Sequence, residues 1–110
     1  MKSSRTDDLE SRIIRDFLDI LILKYLRNHP NSSGYKIMRH LVDTYDTPFS
    51  PGTIYSAIYW LKQQQLVCGS NCTGGGMYNL TIEGEKKLKD TAQLSPKIQK
   101  LVSEILLIQC

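Results

Sequence analysis

Long apolar stretches are missing from this chain. Aliphatic runs such as residues 20–23 are far short of the ~20 residues that cross a bilayer, so no membrane partner is expected. Cysteine is scarce too: three residues, an odd number, make no disulfide framework. The first twelve residues carry Asp7, Asp8 and Glu10 among basic groups, unlike a secretory leader, and a reducing cytoplasmic setting is expected. Charge of one sign does not dominate. Fourteen Lys and Arg against eleven Asp and Glu leave a net charge of +3, which suits a polyanionic partner without demanding one. No nucleophile, base and orienting group occur at catalytic spacing, so an enzyme is not expected. Gly74, Gly75 and Gly76 lack the lysine and the strand-to-helix setting of a phosphate loop, and no cofactor is expected. What remains is 110 residues, 41% apolar and 23% charged, enough for one domain with one core.

Hydrophobic spacing organises that domain. Asp7 or Asp8 caps a helix running to Asn28, with Ile14, Phe17, Leu18, Leu21, Ile22, Tyr25 and Leu26 on one stripe. Pro30 and two serines then make a turn, and Ser32 or Ser33 caps a second helix. On it Tyr35, Met38, Leu41, Val42 and Tyr45 hold the core spacing, while Lys36, Arg39, His40 and Asp43 lie off it. Asp46, Thr47 and Pro48 end that helix. Ser50 followed by Pro51 is an N-cap with proline at the first helical position, opening a third helix to about Gln65.

In this third helix Ile54, Ala57, Ile58 and Leu61 share one side. Gly52, Ser56, Tyr59 and Gln63 centre the other, flanked by Thr53, Tyr55, Trp60 and Lys62, with no acid among them. Residues 66–69 and 77–80 are two short strand candidates around a glycine-rich tip. Thr81 caps a fourth helix, and Ser95-Pro96 repeats the cap-and-proline signal, implying a kink or a fresh helix. Leu94, Ile98, Leu101, Ile105 and Ile108 alternate in steps of four and three, with Val102 beside them: the seam of a helix that packs on another helix. So small a domain has little core left to cover that seam, which points to self-association.

Three helices followed by a two-stranded hairpin is the order of a winged helix-turn-helix, a mainly α fold. Residues 1–84 are expected to form that unit and 85–110 a C-terminal dimerisation helix. In this architecture the third helix enters the DNA major groove and the wing touches the flanking backbone.

The residues add a resemblance. Gly34-Tyr35, then Ser50-Pro51-Gly52-Thr53-Ile54-Tyr55, Ala57, Leu61, Leu66-Val67 and Tyr78-x-Leu80-Thr81 with Gly84 resemble the PadR family of transcriptional regulators over roughly residues 14–88. The resemblance implies a homodimeric winged-helix repressor that binds double-stranded DNA at a pseudo-palindromic operator, its C-terminal helix packing against the partner copy. This sequence departs from the family pattern in several places. The family commonly has proline where Ser56 stands, a basic residue at Trp60, and a glycine closing the third helix at Gln65. Its wing usually carries Arg or Lys where Gly74, Gly75, Gly76 and Met77 stand, so this wing is neutral. The short C-terminal part implies no large ligand-binding domain, although some relatives hold a small apolar effector at the dimer interface.

Candidate DNA contacts are Tyr35 and Lys36 on the second helix, with Ser50, Gly52, Thr53, Tyr55, Ser56, Tyr59, Lys62 and Gln63 on the third. Backbone N–H groups behind Ser50 are open to a phosphate, and the Gln63 amide can pair bidentately with adenine. Tyr35 is equally a partial core residue, Arg39 and His40 are ordinary surface groups, and Trp60 is half-packed. The rival reading is a protein-interaction module docking through Tyr55, Tyr59 and Trp60. Cys68 and Cys72 are placed to pair across the hairpin, but free thiols are favoured. A zinc site would have to recruit Cys110 with His29 or His40 from distant elements.

Overall fold

The computed structural model describes the backbone of residues 4–70 and 76–108, and the side chains of residues 8–69 and 76–108. The single long helix expected at the start is two: α1 (Ser4–Asp16) and α2 (Leu18–Asn28). They meet at Phe17, whose φ of −102° and ψ of 20° bend the chain for one residue. Hydrogen bonding continues through the bend, from Phe17 N–H to the Ile13 carbonyl at 3.1 Å and from Leu21 N–H to the Phe17 carbonyl at 3.0 Å. The bend leaves Phe17 half exposed while α2 lays Leu18, Ile22, Leu23 and Leu26 into the core.

After a turn through Asn31, which takes the left-handed φ of 60° that asparagine tolerates, Ser32–Ser33 form a two-residue strand β1. Ser33 then caps α3 (Gly34–Tyr45) by accepting the Lys36 N–H at 3.1 Å. The buried stripe of α3 differs from the expected one. Ile37 is completely buried with Leu41, Met38 and Val42 are partly buried, and Tyr35 stands 61% exposed. The stripe sits about one residue further round than the tyrosines suggested, because their hydroxyl-bearing rings can lie at the edge of a core without entering it.

Ser50 caps α4 (Pro51–Gln63), accepting the Thr53 N–H at 3.1 Å from an extended backbone. Ile54, Ile58 and Leu61 are at most 1% exposed, which matches the face that periodicity assigns to the core. These residues meet the α2 stripe, Ile37, Leu41, Phe49 and Val67 in one cluster. At the far end Leu66 N–H reaches the Leu61 carbonyl at 3.0 Å and Gln65 N–H the Lys62 carbonyl at 2.9 Å, a Schellman closure. Its left-handed residue is Gln65, with φ of 64°. That explains why a glycine suits this position.

The hairpin pairs β2 (Val67–Ser70) with β3 (Met77–Leu80), and β1 adds to the other side of β3, giving the order β1-β3-β2. The third strand escaped the sequence reading because two serines carry no alternation. Two side-chain bonds hold it: the Asn79 side-chain oxygen accepts the Asn31 N–H at 2.7 Å, and the buried Ser32 hydroxyl donates to the His29 carbonyl at 2.8 Å. Thr81 joins the sheet to α5 (Ile82–Gln93), accepting the Gly84 N–H at 2.9 Å and donating to the Gln65 carbonyl at 2.8 Å. A Cβ on Gly84 would collide with the Leu66 carbonyl, so α5 starts flush against the end of α4. This helix packs on α2, where the Arg27 guanidinium meets Glu85 at 3.0 Å. The expected boundary between residues 84 and 85 falls inside α5.

Ser95 does not repeat the role of Ser50. Leu94 precedes α6 (Ser95–Leu106) with φ of −85° and ψ of −5°, a near-helical conformation, so the chain passes from α5 to α6 without the extended residue that an N-cap needs. Ser95 instead accepts from the Gln99 side chain at 2.8 Å. No residue of α6 is buried. The helix leans on α5, and the molecule with it is elongated, 58 × 35 × 21 Å. The radius of gyration is 15.6 Å, against about 13 Å for a compact domain of this length. Among the described residues no helix is long and apolar enough to cross a membrane.

Candidate nucleic-acid interface

The second face of α4 is the inverse of its buried one. Gly52, Thr53, Tyr55, Ser56, Tyr59, Trp60, Lys62 and Gln63 are all exposed, with Tyr59 63% and Trp60 49% accessible. Acids are absent from this 13-residue helix, so nothing on it repels a phosphate backbone. At its start Pro51 has no N–H, the Ser50 hydroxyl takes the Thr53 N–H, and Ile54 N–H bonds the Ser50 carbonyl at 3.2 Å. The cap therefore uses most of the donors that the sequence reading left open to an anion, and Gly52 N–H is the one it does not use. Ser50 and Thr53 hydroxyls lie 3.0 Å apart, tying the polar groups of the first turn to one another.

The α3 and α4 contributions are brought together by Gly34. A Cβ at this buried glycine would overlap the Tyr55 ring, so the phenol of α4 lies directly on the start of α3. Tyr35 and Lys36 follow on the next exposed positions of α3. The Tyr55–Gly34 contact thus sets the start of α3 beside Tyr55 in the first half of α4. Arg39 points its charge elsewhere, meeting Asp43 at 3.0 Å one turn along. Tyr25 stacks on His29 with ring centroids 4.5 Å apart, and the His40 ring of α3 lies tilted against the same tyrosine at 4.7 Å, so both histidines serve packing where α2 meets α3.

Two features of this surface escaped the sequence reading. Gly34 is needed for close approach of an aromatic ring, and Tyr78 on β3 carries the Lys62 ammonium 5.9 Å from its ring centroid. The second had a readable signal: Gly69 lies directly opposite Tyr78 in the hairpin, and an aromatic ring commonly folds over a cross-strand glycine.

Cys68 is an exposed free thiol. Cys72, its partner in the disfavoured pairing, the glycines Gly74 and Gly75, and Cys110 lie outside the described residues. Among the described residues no group of three or more His, Cys, Asp or Glu could hold a metal ion.

A second surface is apolar. Leu94, Ile98, Leu101, Val102, Ile105 and Ile108 are all exposed, Val102 least at 37% and Ile108 most at 88%. Ile108 lies beyond the end of α6. Alongside runs a groove of about 840 Å³ between α2 and the α5–α6 pair, lined by Phe17, Ile20, Leu21, Leu88, Ala92 and Ile98, with Lys24 and Arg27 among its polar walls.

An α2 spine, a helix-turn-helix pair with an outward α4, and a hairpin joined by a third short strand define a winged helix-turn-helix of the kind found in transcriptional regulators. Solved structures with this fold include many PadR-family regulators. A PadR-family regulator from Eggerthella lenta is 24% identical with a TM-score of 0.75, covering 94% of this chain and 97% of that one. A PadR-family regulator from Clostridium difficile is 28% identical with a TM-score of 0.67, covering 83% of this chain and 99% of that one. A transcriptional regulator from Thermoplasma acidophilum is 22% identical with a TM-score of 0.76, covering 89% of this chain and 99% of that one. No protein-family profile and no curated protein sequence matches the chain.

Proposed function

We propose that the chain is a PadR-type transcriptional repressor that binds a pseudo-palindromic DNA operator as a homodimer. The single observation that carries the reading is the exposed, acid-free face of α4, joined through the Tyr55–Gly34 contact to Tyr35 and Lys36 of α3. Such a helix fits the major groove, where Gln63 pairs with adenine and the small residues Gly52, Thr53 and Ser56 admit the backbone. Lys36 and Lys62 supply phosphate contacts. The regulator fold shared with the solved neighbours supports the same assignment.

The dimer follows from physical need. An amphipathic α6 without one buried residue, beside an apolar groove, leaves a hydrophobic surface that a second copy covers. A twofold pair then presents two α4 helices to half-sites about one helical turn apart, roughly 34 Å. If the dimer neutralises about six phosphates, affinity falls ~10³-fold between 50 and 200 mM salt. Gln63→Ala removes about 1–3 kcal/mol of base discrimination at one position of each half-site. A small apolar effector seated in the same groove would raise the melting temperature of the protein.

Exposure of Tyr55, Tyr59 and Trp60 favours one rival, a winged-helix module that docks a partner protein through these rings. Sequencing of genomic DNA retained by the purified protein separates the two. The repressor reading predicts enrichment of a few discrete inverted-repeat sites, including DNA upstream of regulated genes. Random fragments or none would leave the docking module.

A further inference from the structure

We propose that Tyr78 is a positioning residue of the DNA interface: its ring holds the Lys62 ammonium at the seam between α4 and the wing, so that α4 supplies the hairpin's phosphate contact. The inference rests on the DNA-binding reading above and names a device within it.

The geometry begins with two glycines. Gly69 faces Tyr78 directly across the β2–β3 pair, and a Cβ there would stand 2.9 Å from Tyr78 Cδ1, 3.0 Å from Cε1 and 3.6 Å from Lys62 Nζ. A Cβ at Gly76 would come within 3.0 Å of the Tyr78 hydroxyl and 3.2 Å of Cζ. The phenol therefore lies in a cradle that side chains at either glycine would fill. The Lys62 ammonium reaches into the same space, 5.9 Å from the ring centroid, within the range of a cation–π contact.

Two observations and the chemistry of lysine give this arrangement a role. Lys62 joins none of the ion pairs among the described residues, so its charge is not spent on a carboxylate. The described parts of the hairpin carry no cation, since β2 reads Val-Cys-Gly-Ser and β3 Met-Tyr-Asn-Leu. A lysine is a compact point charge on a flexible stem, well suited to a phosphate oxygen but costly to immobilise. The Tyr78 ring and the carbonyl end of α4 pre-order that stem before DNA arrives, which lowers the entropy lost on binding. A neutral wing thereby gains a charge that belongs to its neighbour.

Two linked measurements test it. In the free protein, NMR should show the Lys62 ε-methylene protons shifted upfield by the ring current, retained in Tyr78→Phe and lost in Tyr78→Leu. On a duplex carrying a recovered site, Tyr78→Leu should weaken binding about threefold per half-site, the size of one exposed cation–π contact. Tyr78→Phe should bind like wild type, and Tyr78→Leu should cost nothing further in a Lys62→Ala background. Unshifted Lys62 protons in the wild type, or losses that simply add in the double variant, would overturn the proposal. If wild-type protein binds no DNA, the functional reading falls, while the ring-current shift still decides whether the pairing exists.

Discussion

The helices α4 and α6 open with the same Ser-Pro pair, have nearly the same length and carry similar apolar periodicity, yet one is sealed into the body and the other has nothing buried. Ser50 sits in extended backbone and caps its helix. Ser95 follows the near-helical Leu94 and caps nothing. A cap signal therefore works only where the preceding chain turns, and a stripe of leucines announces that a face needs covering without saying what covers it. For α4 the cover is α2, α3 and the sheet. For α6 we assign it to a second copy.

The contrast breaks first at the core. Ile22 on α2 is completely buried under α4, and Ile22→Ala should lower the unfolding free energy by about 2–5 kcal/mol, read from denaturant melts. A smaller loss, with an unchanged denaturant slope, would mean that the core is looser than drawn. Next comes the seam of α6. Leu101 is 50% exposed in the single chain, so Leu101→Glu should barely change the stability of a monomer. In the proposed dimer it should halve the mass seen by sedimentation and abolish the concentration dependence of the melting temperature.

The outer face of α4 and its neighbour α3 give a smaller effect. Lys36→Ala should reduce the slope of log affinity against log salt by about one per half-site, while leaving the order of preferred sequences unchanged. The smallest lies at the end of α4. Gln65 holds a left-handed φ of 64°, and Gln65→Gly should raise stability by about 0.5–1 kcal/mol in the same denaturant melts, because only glycine adopts that backbone freely.

Much of this was legible in the residues, and the exceptions have physical reasons. Ile54, Ile58 and Leu61 declared the inner face of α4 through spacing alone, and the absence of acids declared the outer one. Thr81 announced its cap, and the cap of α3 was narrowed to Ser32 or Ser33, because short hydroxyls before a helix have one favourable use. Ile37 was passed over in favour of Tyr35, since a helical stripe can be rotated by one residue when aromatics border it. The bend at Phe17 left no mark because no proline or glycine accompanies it; it falls just before Leu18, the first α2 residue buried in the core. β1 is a strand only because it pairs with β3, a distant partner that local sequence cannot display. In the candidate interface, the residue types on α4 were readable, but the Tyr55–Gly34 and Tyr78–Lys62 contacts depend on which elements meet.

The proposal that α6 pairs two copies so that two α4 helices face one duplex is tested most directly by hydroxyl-radical footprinting on a recovered DNA site. It predicts two protected stretches one helical turn apart, about 34 Å, both lost in Leu101→Glu. One protected stretch at saturating protein, or a footprint that Leu101→Glu leaves intact, would contradict it.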